Sequence, residues 1–308
     1  MTTTTSILEP QVDLYAVVVT YSPDWPQTLA LIEALEKQQA LTIVVDNGSP
    51  EAMIAPLIEK SPPRTRWLRN ESNEGIAAAQ NRGIRDAMSR GATHIVLFDQ
   101  DSSPAPDMLA RLLSAEATLL AAGASVAAVG PQLIDETTGE KAPFITFENG
   151  HKRRAVTSPE SSQILCFSLL ASGTLIRTEV LERIGLMKEE LFIEYVDVEW
   201  GARARAAGLH CYGIGEALLY HNLGDDRIQV LPNFFVPLHK PVRHYYTMRN
   251  AIYMQKLAYV PAYWKRSDLL RTVAGFIIFT LFNPPRLMQL RMMIKGIAHG
   301  FAGRYGPL

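Results

Sequence analysis

Cysteine is scarce in this 308-residue chain, acidic residues almost vanish after position 226, and no apolar run reaches the length of a bilayer span. The two cysteines, Cys166 and Cys211, match neither a disulfide framework nor a zinc site, which makes the reducing cytoplasm the expected compartment. The opening MTTTTSILEPQ lacks the basic start and apolar stretch of a secretory signal, so a loose polar tail is expected over residues 1–13. The most apolar stretch, TVAGFIIFTLF at 272–282, is about half of the roughly 20 residues that a spanning helix needs. Asn283-Pro284-Pro285 then breaks it. Neither a nucleic-acid reading motif nor a single-strand stacking module is present, so nucleic acid is not an expected partner.

The missing acids divide the chain electrically. Residues 1–226 hold 18 Lys and Arg against 30 Asp and Glu, whereas residues 227–308 hold 12 against one, Asp268. A basic end of this kind attracts phosphates or anionic lipid head groups. Its last segment, PRLMQLRMMIKGIAHGFAGR, mixes Leu, Met and Ile with Arg286, Arg291, Lys295 and Arg304, the composition of a helix lying on an anionic membrane surface. The competing reading of residues 261–308 is a helical hairpin that covers the rest of the protein or joins two copies in a homodimer.

With 47% hydrophobic residues the chain can bury a full core, and its first half alternates two periods. Leu14 to Thr20 and Ile43 to Val45 read as buried parallel strands, with a helix from Trp25 to Gln39 between them and a second from Gly75 to Arg90. HIVLFDQDSS at 94–103 is a third strand that stops abruptly at Asp99 and Asp101. Strand-helix alternation makes a parallel sheet covered on both faces, whose ligands bind beyond the carboxyl ends of the strands. Tyr21, Asp46 and Asp99 fall at three such ends, and paired carboxylates there suit a hard divalent cation bridging to a nucleotide's phosphates.

VVVTY at 17–21, VVDNGS at 44–49, the N-x-x-N-E-G-I-A-A-A-Q-N-R-G run at 70–83, FDQDS at 98–102, SGTLI at 172–176 and FIEYVDVEW at 192–200 together resemble the inverting GT-A glycosyltransferases of family 2. FDQDS and RHYYTMRN at 243–250 resemble their bacterial rhamnosyltransferase branch. The resemblance covers about residues 14–260 and implies a Rossmann-like, mostly parallel sheet flanked by helices, followed by the C-terminal helical extension. A nucleotide-binding half over about 14–103 and an acceptor half over about 104–260 are expected. The implied activity is transfer of a sugar, L-rhamnose from dTDP-L-rhamnose, to a glycan or lipid-linked hydroxyl in cell-surface polysaccharide or glycolipid synthesis. The enzyme would work at the inner face of the cell membrane with Mg2+ or Mn2+.

Under this reading Asp46 accepts a hydrogen bond from the N3 proton of a pyrimidine base, the alternative being an Asx turn that caps the strand. Tyr21, Gly75, Asn81, Arg82 and Gln100 are donor-side candidates, and Asp99 lies near the ribose. Asp101 ligates the metal, with His221 as second ligand or else a packed histidine. Arg243 or Arg249 clamps the diphosphate, because a guanidinium fork suits paired phosphate oxygens. Inversion needs a carboxylate to take the acceptor's proton, and Asp197 is that candidate, with Glu199 its rival. Glu194, Glu199, Trp200 and Tyr246 are expected on the acceptor side. Two other classes compete with this reading. A nucleotidyltransferase would carry a Gly-rich basic loop where this chain has Thr20-Tyr21-Ser22-Pro23-Asp24-Trp25, and a silent sugar-binding module need not keep Asp101 with Asp197.

Overall fold

A computed structural model of the protein describes residues 12–158, 161–221, 227–231, 234–237 and 239–308; the expected polar tail lies outside them but for its last two positions. The chain opens with β1 (Leu14–Thr20), α1 (Trp25–Lys37), β2 (Leu41–Asp46), α2 (Glu51–Lys60), β3 (Arg66–Arg69), α3 (Ile76–Ser89) and β4 (His94–Asp99). Asp24 caps α1, its carboxylate accepting from the Gln27 amide at 3.2 Å, and Pro26 stands in the first turn, where no backbone donor is lost. These strands pair in parallel in the order β3-β2-β1-β4.

β5 (Ser103–Pro104), α4 (Met108–Ala121) and β6 (Val126–Asp135) follow, then a hairpin of β7 (Phe144–Glu148) and β8 (His151–Ala155). β9 (Gln163–Cys166), β10 (Leu175–Arg177), α5 (Thr178–Ile184), a 3-10 turn at Glu189–Leu191, α6 (Val196–Ala206) and β11 (His210–His221) complete the sheet. β10 runs antiparallel between β4 and β6, β11 lies parallel to β6, and β5 and β9 pair antiparallel with β11. The nine-stranded sheet is thus parallel where the sequence alternates and mixed beyond it.

Both faces are covered, which explains why β1 reads as one apolar run instead of an alternation. Tyr15, Val17 and Val19 join one core with α3, α5 and α6, while Ala16 and Val18 join the other with α1, α2 and α4. Cys166 and Cys211 face each other across β9 and β11 as free, buried thiols.

A two-stranded ribbon of β12 (Arg227–Leu231) and β13 (Phe234–Pro237) precedes three helices, α7 (Pro241–Lys256), α8 (Ala262–Phe282) and α9 (Arg286–Ala302). α8 begins ten residues before the apolar stretch that announced it, and its first half carries Lys265, Arg266, Asp268 and Arg271. No helix among the described residues is long and apolar enough to cross a membrane. α9 lies tight against α7 because Gly296 and Gly300 present no side chain to the α7 backbone; a Cβ at Gly300 would stand 2.9 Å from the Arg249 carbonyl oxygen. Phe167, Tyr195, Ala251, Met254 and Trp264 form a third, smaller core that joins α6, α7 and α8.

Candidate active site

Parallel pairing sets the ends of β1, β2 and β4 side by side, with Thr20 opposite Asp46 and Val19 opposite Asp99. The rim is then tied by its own polar groups. The Tyr21 amide donates to Gln100 Oε1 at 2.8 Å, and Gln100 Nε2 donates back to the Tyr21 carbonyl at 3.4 Å. That pair locks β1 to β4 and leaves the Tyr21 ring 51% exposed. Behind Asp99, the Ser172 hydroxyl accepts from the Asp99 amide at 3.4 Å and bonds the Ser102 hydroxyl, fixing where the strand turns.

β5 explains how His221 reaches this rim. The chain pairs with β11 immediately after Asp101, Ser103 opposite Tyr220, and this register brings the imidazole Nε2 of His221 to 3.5 Å from Asp101 Oδ1. Among the described residues no group of three or more His, Cys, Asp or Glu side chains could hold a metal; Asp101 and His221 offer two donors, one oxygen and one nitrogen.

Four further charges gather around that pair. Burial pushes the Asp99 carboxyl up to about 6, and the neighbouring Asp101 raises it too, while His221 and Arg243 oppose the shift. Burial likewise pushes Asp197 up to about 6; the Val198 amide that it accepts at 2.8 Å opposes this, and Glu194 and Asp99 add to it. Arg243 pairs with Glu194. Asp99, Asp101, Glu194, Asp197, His221 and Arg243 therefore form one electrostatic cluster at the strand ends. A carboxyl poised near 6 is mostly ionised at pH 7 yet basic enough to accept a proton from a hydroxyl.

The segment carrying Glu194 to Asp197 is held against its backbone preference. Phe192, Glu194 and Tyr195 have φ of 66°, 64° and 66°, the left-handed region that bulky residues avoid. The clamp is on α7. The Asn250 side-chain amide donates to the carbonyls of Leu191 at 2.9 Å, Ile193 at 2.7 Å and Glu194 at 2.9 Å, and the Arg249 guanidinium donates to those of Glu190 at 3.1 Å and Leu191 at 2.8 Å. Tyr195 adds a third tether, its hydroxyl donating to both oxygens of Asp268 on α8 at 3.1 Å. Asn250, Tyr195 and Asp268 had no expected role at the site, although Asn250 stands in RHYYTMRN and Asp268 is the one acid after position 226.

Several expected site residues have other work here. Arg249 is fully buried on those carbonyls and on that of Gly306, so it has no free edge for a diphosphate. Glu199 is fully buried, with both oxygens on the Arg203 guanidinium at 2.9 Å and a further bond from Tyr259, which removes it as the rival base. Trp200 is 3% exposed and donates to the Gly185 carbonyl at 3.0 Å, so it is a core residue instead of an acceptor contact. Tyr246 is also 3% exposed, stacked on Phe192 at 4.8 Å. Asp46 has no exposed surface; it accepts from the Thr20 hydroxyl at 3.1 Å and the Ser49 amide at 2.9 Å, the bonds of a strand-capping turn. Asn81 spends its amide on Met187 and Glu189, and Arg82 binds the Arg69 carbonyl at 2.6 Å and the Asn70 side chain. Gly75 is needed for a close approach of a different kind: with φ +89°, a Cβ there would stand 2.6 Å from the Phe192 carbonyl oxygen.

Comparison with known proteins bears on the family and the fold. The family described as glycosyl transferase family 2 matches residues 15–185. A dTDP-rhamnosyl transferase, RfbF of Shigella flexneri, is 31% identical over 301 residues, 95% of this chain and 98% of that protein. The galactofuranosyltransferase GlfT1 of Mycobacterium tuberculosis is 30% identical over 78% of this chain and 81% of its own. Among solved structures, S. aureus TarS 1-349 in complex with UDP-GlcNAc superposes with a TM-score of 0.54 at 14% identity over 94% of this chain and 80% of that one. GalNAc-T7 with UDP, GalNAc and Mn2+ gives 0.56 at 14% identity over 90% of this chain and 59% of that one. These two likenesses speak for the fold.

Proposed function

Because the chain belongs to glycosyl transferase family 2 and is a glycosyltransferase, we propose that it transfers L-rhamnose, with inversion, from dTDP-L-rhamnose to a hydroxyl of a glycan or lipid-linked acceptor. Similarity over nearly the full length of a dTDP-rhamnosyl transferase supports the donor. The observation that carries the chemistry is the gathering of Asp197, Asp99 and the Asp101–His221 pair at one strand-end rim.

In this reading Tyr21 and Gln100 border the nucleotide, with the exposed Tyr21 ring as a stacking face. Asp99 faces the ribose. Asp197 removes the proton from the acceptor hydroxyl as that oxygen attacks the anomeric carbon, and the bond from that carbon to the diphosphate oxygen breaks on the opposite face. Glu194 keeps the Asp197 carboxyl from ionising too readily, and Arg243 holds Glu194 while its charge favours the departing diphosphate. The donor set suits Mg2+ or Mn2+, since such a cation takes one or two protein ligands and fills its remaining positions with water and phosphate oxygens. Asp101 and His221 would hold it, and it would neutralise charge on the leaving nucleoside diphosphate. The enzyme would work in the cytoplasm at the inner face of the membrane, where a lipid-linked acceptor is presented.

The test is turnover against a panel of dTDP-rhamnose, UDP-galactofuranose, UDP-GlcNAc and GDP-mannose with glycan and lipid-linked acceptors, read as nucleoside diphosphate release and product anomer by NMR. Preference for dTDP-rhamnose with inversion is expected. Preference for another sugar would overturn the donor, and retention of configuration would overturn the single-displacement chemistry. Formation of a nucleoside triphosphate and a sugar 1-phosphate when pyrophosphate is added would mark a nucleotidyltransferase, and binding without turnover a silent sugar-binding module.

A further inference from the structure

α7, α8 and α9 enclose an apolar groove of about 450 Å³ lined by Met248, Ile252, Val273, Phe276, Ile297 and Phe301 among others. That volume lies within the range of about 300–1,000 Å³ typical of small-molecule sites. The groove opens on a surface that ordinary soluble proteins avoid. On α8, Leu270, Val273, Ile277 and Leu281 recur at helical spacing and are 73%, 52%, 52% and 53% exposed; on α9, Leu287, Ile294 and Phe301 recur every seven residues at 69%, 53% and 70%. Contiguous exposed apolar stripes of this extent mark a surface that something covers.

Charge identifies the cover. Arg266, Arg271, Arg286, Arg291, Lys295 and Arg304 are exposed on the same two helices and the tail after them. The one acid of this region, Asp268, is 5% exposed and already engaged by Tyr195 and Arg271. The face is therefore apolar and positive with no exposed counter-charge of its own. A second copy docking face to face would bring like charges together, whereas anionic lipid head groups would neutralise them while their chains entered the apolar part.

We propose that the α7–α8–α9 groove is a binding site for a hydrocarbon chain of an anionic membrane lipid, and that the α8–α9 face lies on the bilayer surface around it. The proposal deepens the reading of a membrane-side acceptor and rests on that part of the proposed function alone, not on donor identity or on Asp197. Through Arg271 and Asp268 the same helix touches Tyr195, two residues from Asp197.

Flotation of the full-length protein with phosphatidylcholine vesicles, with and without one-third phosphatidylglycerol, tests the face; photo-crosslinking to phosphatidylglycerol carrying an acyl-chain diazirine tests the groove. Binding that requires phosphatidylglycerol and weakens with salt is expected, with label on residues that line the groove. Val273→Glu, at an exposed position that leaves the fold intact, should reduce vesicle binding at least tenfold and leave dTDP binding unchanged. No affinity for phosphatidylglycerol vesicles at low salt, or label confined to residues outside the groove, would overturn the proposal. So would a concentration-dependent dimer that Val273→Glu dissociates while vesicle binding persists. Because binding is read without turnover, its failure is distinguishable from failure of the donor assignment, which the dTDP titration reads separately.

Discussion

At the sheet rim Tyr21, Asp101, His221 and Arg243 keep part of their surface, with the Asp101 and Arg243 side chains 47% and 49% exposed. One helix layer behind, Glu199, His244, Arg249 and Asn250 are between 0% and 1% exposed. The two groups have similar chemistry and opposite uses. Rim groups face solvent where a substrate can meet them, whereas Arg249 and Asn250 spend their donors on backbone carbonyls and Glu199 its acceptors on Arg203 and Tyr259. The buried layer serves the rim indirectly, by holding residues 192–195 in a backbone shape that they would not adopt alone.

The contrast is sharpest between Asp197 and Glu199, two residues apart and on different sides of α6. Asp197→Asn should lower kcat by a factor on the order of 10² or more with little change in donor affinity. Glu199→Gln should keep most of kcat per folded molecule and lose about 3 kcal/mol of stability, because it leaves the Arg203 guanidinium without its carboxylate. Steady-state kinetics beside thermal melts would break the comparison if the two effects were exchanged.

Chelation, or Asp101→Asn, should cost on the order of 10² in turnover and leave the melting temperature almost unchanged, since Asp101 is a rim group without a structural load. Activity undiminished by exhaustive chelation would remove the metal from the account. Asn250→Ala tests the buried layer: a drop of about tenfold in kcat with an unchanged donor KM is expected beside a lower melting temperature, because a misplaced Asp197 loses alignment and not binding. A melting change alone would reduce Asn250 to packing.

The smallest effect is on stability. The folded Asp197 keeps its proton up to about pH 6, whereas the unfolded carboxyl loses it near the ordinary 3.8. Between these values the native state binds the extra proton, so this group's contribution falls as pH rises through the window and stays low above it. Asp197→Asn should accordingly raise stability at pH 7 by roughly 1–3 kcal/mol and have no such effect below pH 3.8.

The rim was legible in the sequence because a buried parallel strand ends where an apolar run meets polar residues, and FDQDS and VVDNGS both show that change. Pairing with β5 was not, so the approach of His221 to Asp101 rested on resemblance until the register of β11 was seen. Residue type also cannot report which way a side chain faces. Arg249 had the chemistry of a phosphate clamp and Tyr246 that of an acceptor contact, yet both are buried in the α7 interior. α2 escaped notice because Pro56 inside a ten-residue segment reads as a break, yet the segment is helical with Ile54 and Leu57 packed inward.

The pH dependence of kcat/KM for rhamnosyl transfer, in wild type and in Asp197→Asn, tests the central claim most directly. A carboxyl held at about 6 by burial must ionise before it can take the acceptor's proton, so wild-type activity should rise through pH 6 to a plateau, and the residual activity of Asp197→Asn should lack that limb. A limb near pH 6 that survives in Asp197→Asn and disappears in Glu194→Gln would place the base elsewhere.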